Sequence, residues 1–323
     1  MEKVIPWAAV YDRPFDEGAV DDAGQPAAWD VCVAGLPAAD GQLPTAHCGE
    51  SPACVLHTDA VARRQQRGER PLTSSTVVCP LRFWGFRHVI ELPVQQVDAE
   101  GRVREMARAI AVEPPPNVCV AYNPDTQCGA KHVEEVMALA VERGGSSSRS
   151  PVSARNAVLA ALGEADLDVV YVYCHAVGDR QAGPFPPYLE FGPGQAVTPS
   201  QLTAVTWDHH PLVFLNACRT GAFSPDALSA FVRRFVQDGQ AGAVIATEVS
   251  VWEDLAVRFG KRFMRSFLAG VPAGEAVRQA RLALLADRDP LGLAYTLYGP
   301  ADLALTNLLA GAGPHPGGIL TVR

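Results

Sequence analysis

The chain has 323 residues, 48% of them hydrophobic, and a formal net charge of −8. That length fits one large α/β unit or two average domains with a real core, and an acidic balance with no long Lys/Arg run argues against nucleic acid or an anionic membrane as partner. No window reaches the ~18 apolar residues of a membrane span, and Met1-Glu2-Lys3-Val4-Ile5-Pro6-Trp7 lacks the apolar stretch of a signal peptide, so a cytoplasmic location is expected.

Taken in chain order, residues 1–116 form an accessory region whose first 72 residues are rich in Pro, Gly and Asp and read as irregular structure with short strands. Its cysteines at 32, 48, 54 and 79, with His47 and His57, are the residues that could hold a structural zinc. They lack the ligand pairs two to four residues apart that such sites use, so no metal and no cofactor is expected. Arg63, Arg64, Arg67 and Arg70 read as a solvated helix face or loop. Two strands are expected at Thr76-Val77-Val78-Cys79 and His88-Val89-Ile90-Glu91-Leu92, bracketing an aromatic cluster at Arg82-Phe83-Trp84-Gly85-Phe86.

Glu113-Pro114-Pro115-Pro116 punctuates the chain, and residues 117–310 read as a doubly wound unit. Strand Asn117-Val118-Cys119-Val120-Ala121-Tyr122 is followed by helical patterns from His132 and from Asn156, with a flexible segment at 144–150 between them. Thr198-Pro199 and Ser224-Pro225 have the hydroxyl-then-proline pattern of helix starts. Behind the second, Leu228, Phe231, Val232, Phe235 and Val236 recur at helical spacing before Gly239. Leu255, Phe259, Phe263, Phe267 and then Val277, Ala280, Leu284, Leu285 form two further apolar stripes. Strands alternating with helices imply an α/β fold, a mainly parallel sheet with helices on both faces. The tail 311–323 reads as disordered.

Two apolar runs carry the chemistry. Asp168-Val169-Val170-Tyr171-Val172-Tyr173-Cys174 ends at His175, and Pro211-Leu212-Val213-Phe214-Leu215-Asn216-Ala217 ends at Cys218. Both have the continuous apolar character of parallel strands covered on both faces, and ligands in such sheets bind beyond the strands' carboxyl ends. A thiol is only slightly ionised near neutrality, and a neighbouring imidazole supplies both the base that takes its proton and the acid that returns it to a leaving amine. Cys218 is therefore the candidate nucleophile and His175 its base. No phosphate-loop, dinucleotide, zinc-protease or serine-hydrolase signature accompanies them.

Tyr173-Cys174-His175 and Leu215-Asn216-Ala217-Cys218-Arg219-Thr220-Gly221 resemble the histidine and nucleophile segments of the CHAT family of caspase-like cysteine peptidases. Ala243-Val244-Ile245-Ala246-Thr247-Glu248 and the segment from Pro290 to Gly299 are similar to the family's later strands, and Ile5-Pro6-Trp7 with Tyr11-Asp12 to a segment near its start. Caspases place the histidine about 50 residues before the cysteine; here the separation is 43. The resemblance implies a caspase-like fold over 117–310 and peptide hydrolysis through a Cys218/His175 dyad, with the backbone N–H groups of Ala176 and Cys218 as oxyanion donors. Ala176 stands where the family usually has glycine. No third catalytic residue is required, and Asp168 and Asp179 read as ordinary loop or strand-edge acids.

The resemblance also implies a substrate groove past Asn123 and Asp125 and past Glu248, Val249, Ser250, Val251, Trp252 and Glu253. Acidic Asp125, Glu248 or Glu253 would select Lys or Arg before the cut, and an apolar pocket with Trp252 would select Leu or Met. The implied partners are a protein substrate and an activating sensor or partner protein, as for a regulated effector in bacterial signalling or defence. An inactive caspase-like scaffold that binds a partner through the same groove is the alternative.

Overall fold

A computed structural model of the chain describes residues 7–12, 30–38, 41–44, 50–70, 72–73, 76–98, 100–142, 150–177, 186–218 and 230–306. Two compact units emerge, Trp7–His88 with Arg281–Leu293, and Val89–Ala280 with the chain from Ala294 onward. The expected flexible segment lies outside the described residues apart from Ser150, as do the tail, Asp179, His47, Cys48 and the Ser224-Pro225 helix start.

In the first unit β1 (Asp30–Val31) pairs in parallel with β2 (Val77–Val78). Helix α1 (Thr58–Gln66) buries none of its residues, and its arginines face acids: Arg64 meets Asp30 and Glu69, and Arg67 meets Glu69. Arg63 and Arg64 thus lie on a solvated helix face, with Arg67 at its C-cap and Arg70 in the loop beyond. Short helix α2 (Trp84–Arg87) carries Phe86, fully buried, against Phe83 at 6.0 Å between ring centroids, and Phe83 packs on Tyr11 at 4.8 Å. The aromatic cluster is core.

The second unit opens with a hairpin-like pair, β3 (Gln96–Val97) and β4 (Val103–Arg104), then β5 (Ala109–Ala111). Its main sheet holds seven described strands: β6 (Val118–Tyr122), β7 (Val169–Val177), β8 (Tyr188–Glu190), β9 (Ala196–Val197), β10 (Leu212–Cys218), β11 (Ala243–Thr247) and β12 (Tyr295–Tyr298). β6, β7, β10 and β11 run parallel, while β8, β9 and β12 are antiparallel additions. β13 (Ala304–Thr306) pairs with β5.

Alternate residues of the central strands feed two cores, as the pleat requires. Val170, Val172, Cys174, Val213, Leu215 and Ala217 pack with Val158 and Leu162 of α4 (Arg155–Leu162) and with Phe231 and Phe235. Tyr171, Phe214 and Tyr295 turn the other way, toward Phe259 and Phe263 of α5 (Glu253–Phe267) and His132 of α3 (Gly129–Val141). Helices therefore cover both faces. α6 (Ala273–Ala286) follows α5.

Three expected elements differ in form. The stretch His88–Leu92 forms no strand and bridges only at Leu92, to Tyr298. Thr198-Pro199 starts only a 3-10 turn, Pro199–Leu202, closed by a capping box with Gln201. The buried residues that follow, Val205 and Trp207, recur at period two rather than helical spacing. The helix before Gly239 ends in a π-helical turn, Arg234–Asp238, closed by Gly239 N–H donating to Arg234 C=O at 2.9 Å. A Cβ at Gly239 would lie 2.8 Å from the Phe235 carbonyl oxygen and 3.0 Å from the Trp207 ring, so glycine ends this helix for lack of space.

Candidate active site

β7 is long because Val169 to Val177 alternates bulky apolar and aromatic side chains that both cores accept. Its first half pairs with β6 and its last three residues pair with β8. On its other side β10 lies in parallel, with Asn216 opposite Tyr173, Ala217 opposite Cys174 and Cys218 opposite His175. The two sequence-selected positions are thus register partners at the carboxyl ends of neighbouring parallel strands. His175 is half-buried and Ala176 is buried opposite Leu189. Ala176 is absent from the described non-glycine residues with positive φ, which are His210, Gln240 and Arg288. The alanine therefore fits its strand without left-handed strain.

Immediately below the pair lies a buried polar network that sequence reasoning missed. Asn216 is fully buried two residues before Cys218, and its amide donates to Tyr171 Oη at 2.6 Å and to the Ala256 carbonyl at 2.8 Å. Its Oδ1 accepts from Tyr295 Oη at 2.7 Å. Tyr171 Oη also meets His132 Nε2 at 2.6 Å. Nδ1 is buried with no hydrogen-bond partner, and burial pushes His132 down to about 4, so the ring is neutral near pH 7. Gly260 of α5 makes the approach possible: a Cβ there would collide with Tyr171 Oη and lie 2.7 Å from Asn216 Nδ2. The available signals were a polar Asn ending an apolar run and a glycine inside a strongly amphipathic helix.

The residues expected to line a groove occupy two adjacent turns. Asn123 follows β6 and is buried, its Nδ2 donating to the Glu190 carbonyl at 3.1 Å and its Oδ1 accepting from Asp125 N–H at 2.9 Å. Its amide shapes the turn and is not open to a substrate. Asp125 is exposed. After β11, Glu248 is half-buried and accepts from Tyr298 Oη at 3.3 Å, Val249 and Ser250 are exposed, Val251 is buried, and Trp252 is 74% exposed. Glu253 opens α5, and its carboxylate accepts from Gln127 N–H at 2.8 Å, which joins the two turns. Asp168 sits at the far end of β7 from His175, where it accepts from Asn117 N–H at 2.7 Å, and burial raises it above the ordinary carboxylate range.

Among the described residues, no group of three or more His, Cys, Asp or Glu side chains is placed to hold a metal, and no helix is long and apolar enough to cross a membrane.

Comparison with known proteins puts this geometry in context. A probable protease of Vitiosangium sp. (strain GDMCC 1.1324) is 32% identical over 256 residues, covering 73% of this chain and 32% of that protein. The chain thus spans about a third of the length of that curated relative. Among solved structures, the Arg-specific cysteine proteinase gingipain R of Porphyromonas gingivalis superposes with a TM-score of 0.42 at 13% identity, over 59% of this chain and 47% of that one. The Saccharomyces cerevisiae separase–securin complex gives 0.41 at 14% identity, over 61% and 12%. The CHAT domain family model matches residues 98–298, a span that includes β6, β7, β10, β11 and the paired strand ends. With more than half of its length inside that match, the chain belongs to the CHAT domain family.

Proposed function

We propose that the chain is a cysteine endopeptidase in which Cys218 is the nucleophile and His175 the general base and acid. The observation that carries this reading is the register of β7 and β10, which sets His175 opposite Cys218. Register partners on neighbouring parallel strands lie about 4.8 Å apart and share a face of the pleat, within side-chain reach. His175 takes the thiol proton, and the thiolate adds to the peptide carbonyl. His175 then returns the proton to the departing amine, which leaves a thioester that water hydrolyses with His175 as base.

The oxyanion donors of this scheme are the N–H groups of Ala176 and Cys218. Leu212 N–H donates to the Asp168 carbonyl at 3.1 Å, so even-numbered residues of β7 turn their backbone groups toward β10. Continued in register to the strand ends, the alternation aims Ala176 N–H at the Cys218 carbonyl and Cys218 N–H at the Cys174 carbonyl. Both donors are then held in the ladder, and the oxyanion hole opens only when its last rung parts. This favours a regulated effector of bacterial signalling or defence, with low basal activity until an activating partner engages.

In the groove, Glu248 and Glu253 already accept hydrogen bonds while Asp125 is exposed, which favours Lys or Arg before the scissile bond. Turnover of a peptide library weighted toward basic residues supports that preference; equal turnover of basic and apolar sites overturns it. The chemistry is tested with a thiol-reactive peptidyl probe: wild type is labelled at Cys218 and Cys218→Ala is not. Failure to label under every activating condition indicates the inactive partner-binding scaffold instead.

A further inference from the structure

The unit comprising Trp7–His88 and Arg281–Leu293 contains a sulfur cluster that the proposed protease chemistry does not use. Cys32, Cys54 and Cys79 are buried, at 0%, 0% and 2% exposure, and pack with Val77 inside a shell of Ala34, Val55, Leu56, Leu72 and Leu81. Cys32 Sγ and Cys54 Sγ are in hydrogen-bond contact at 3.3 Å. Cysteine in a core usually acts as an isolated small hydrophobe; here the sulfurs face one another. Hydrogen bonding from Cys79 is the largest influence on Cys32, ahead of the opposing effect of burial, and Cys54 and the Gly35 and Ala34 N–H groups add to it, bringing Cys32 down to about 5. These donors favour the thiolate form of Cys32.

The spacing separates two uses of such a cluster. Sulfurs sharing a tetrahedral ion at 2.3 Å stand about 3.8 Å apart, wider than the 3.3 Å contact here. In a disulfide they close to about 2.05 Å, which side-chain rotation can approach from contact distance.

We propose that Cys32 and Cys54 form a peroxide-oxidisable dithiol that closes to a disulfide in place, with Cys79 supporting the Cys32 sulfur. The Cys32 thiolate attacks one oxygen of hydrogen peroxide: an S–O bond forms, the O–O bond breaks, and the departing hydroxide takes a proton to become water. Cys32 is oxidised to the sulfenic acid and the peroxide is reduced. Cys54 sulfur then attacks Cys32 sulfur, the S–O bond breaks, and the displaced hydroxide leaves as water with the Cys54 proton. Two thiols and one peroxide yield one disulfide and two waters. Hydrogen peroxide is small enough to enter through local opening, and β1 and β2, which flank the cluster, pair over only two residues each. The resulting cross-link joins residues 32 and 54 and is independent of whether Cys218 is catalytic.

The test uses the full, reduced chain exposed to hydrogen peroxide, then alkylated under denaturing conditions and mapped by mass spectrometry. The expected product is a dithiothreitol-reversible peptide pair joining Cys32 to Cys54, with Cys79, Cys119 and Cys174 alkylated. Cys79→Ala forms the same link several-fold more slowly. Wild-type mapping alone decides the assignment, so a poorly folding variant does not obscure it. Full alkylation of both Cys32 and Cys54 after peroxide overturns the proposal, as does a link through Cys79. So does stoichiometric zinc on the purified chain that is lost in Cys32→Ser.

Discussion

Asn216 holds both ends of its amide in bonds to three other elements: Tyr171 on β7, Ala256 on α5 and Tyr295 on β12. Cys218 lies two residues further along the same strand, so this network fixes where the candidate nucleophile leaves the sheet. Leaving one buried polar partner unmet costs about 1–3 kcal/mol. Asn216→Leu removes the oxygen that accepts from Tyr295 Oη and the amide that donates to Ala256 C=O, and Gly260→Ala forces a methyl into the Tyr171–Asn216 contact. Each variant is expected to lower urea-unfolding stability by at least that much, with Gly260→Ser no better than alanine; stability within a few tenths of wild type would contradict the network's role. His132 supplies a pH dependence. Its folded value, about 4, lies below the ordinary 6.5, so the unfolded chain binds more protons between the two and stability falls as the solution is acidified. The contribution is fully present above pH 6.5 and declines toward pH 4, by about 3 kcal/mol in all. His132→Gln is expected to flatten that part of the stability profile measured by denaturant midpoints, and a variant profile parallel to wild type would count against it.

At the scale of elements, the strands and helices of the main sheet were legible because burial on two faces writes long apolar runs, as in Val169 to Cys174 and Leu212 to Leu215. Amphipathic helix α5 was legible for the same reason, through Leu255, Phe259, Phe263 and Phe267. The short elements were not. Thr198-Pro199 carries a valid cap, yet a cap says where a helix starts and nothing of how far it runs, and here it serves a single 3-10 turn. Likewise the crowding at Gly239 after the π-turn comes partly from Trp207, a residue from another segment that no local pattern contains. Of the candidate site, Cys218 and His175 were found from strand ends, whereas their being register partners is a non-local fact. The Asn216–Tyr171–His132 network joins residues 39 and 45 apart in sequence and could not be read from spacing. The rung that holds Ala176 and Cys218 predicts a difference along one strand. Amide exchange at Phe214 and Val172 should be slow with or without an activator, while Ala176 and Cys218 should lose protection on activation; uniform protection in both states would contradict a gate at the ladder's end.

Across the whole molecule, the family match spans the parallel sheet in which Cys218 is the register partner of His175, and the proposed chemistry lies at the carboxyl edge of β7 and β10. The curated relative is about three times as long as the stretch aligned. On the proposed reading the chain supplies a nucleophile position and a base position, beside turns at 123–128 and 248–253 that are joined through Glu253. The most direct test is the rate at which Cys218 is alkylated across pH 5 to 10 in activated wild type and in His175→Gln. A Cys218–His175 pair predicts substantial alkylation well below the ordinary thiol range near 8.5 in wild type, and a shift of the profile up to that range in the variant. Superimposable profiles would contradict the pairing on which the protease reading stands.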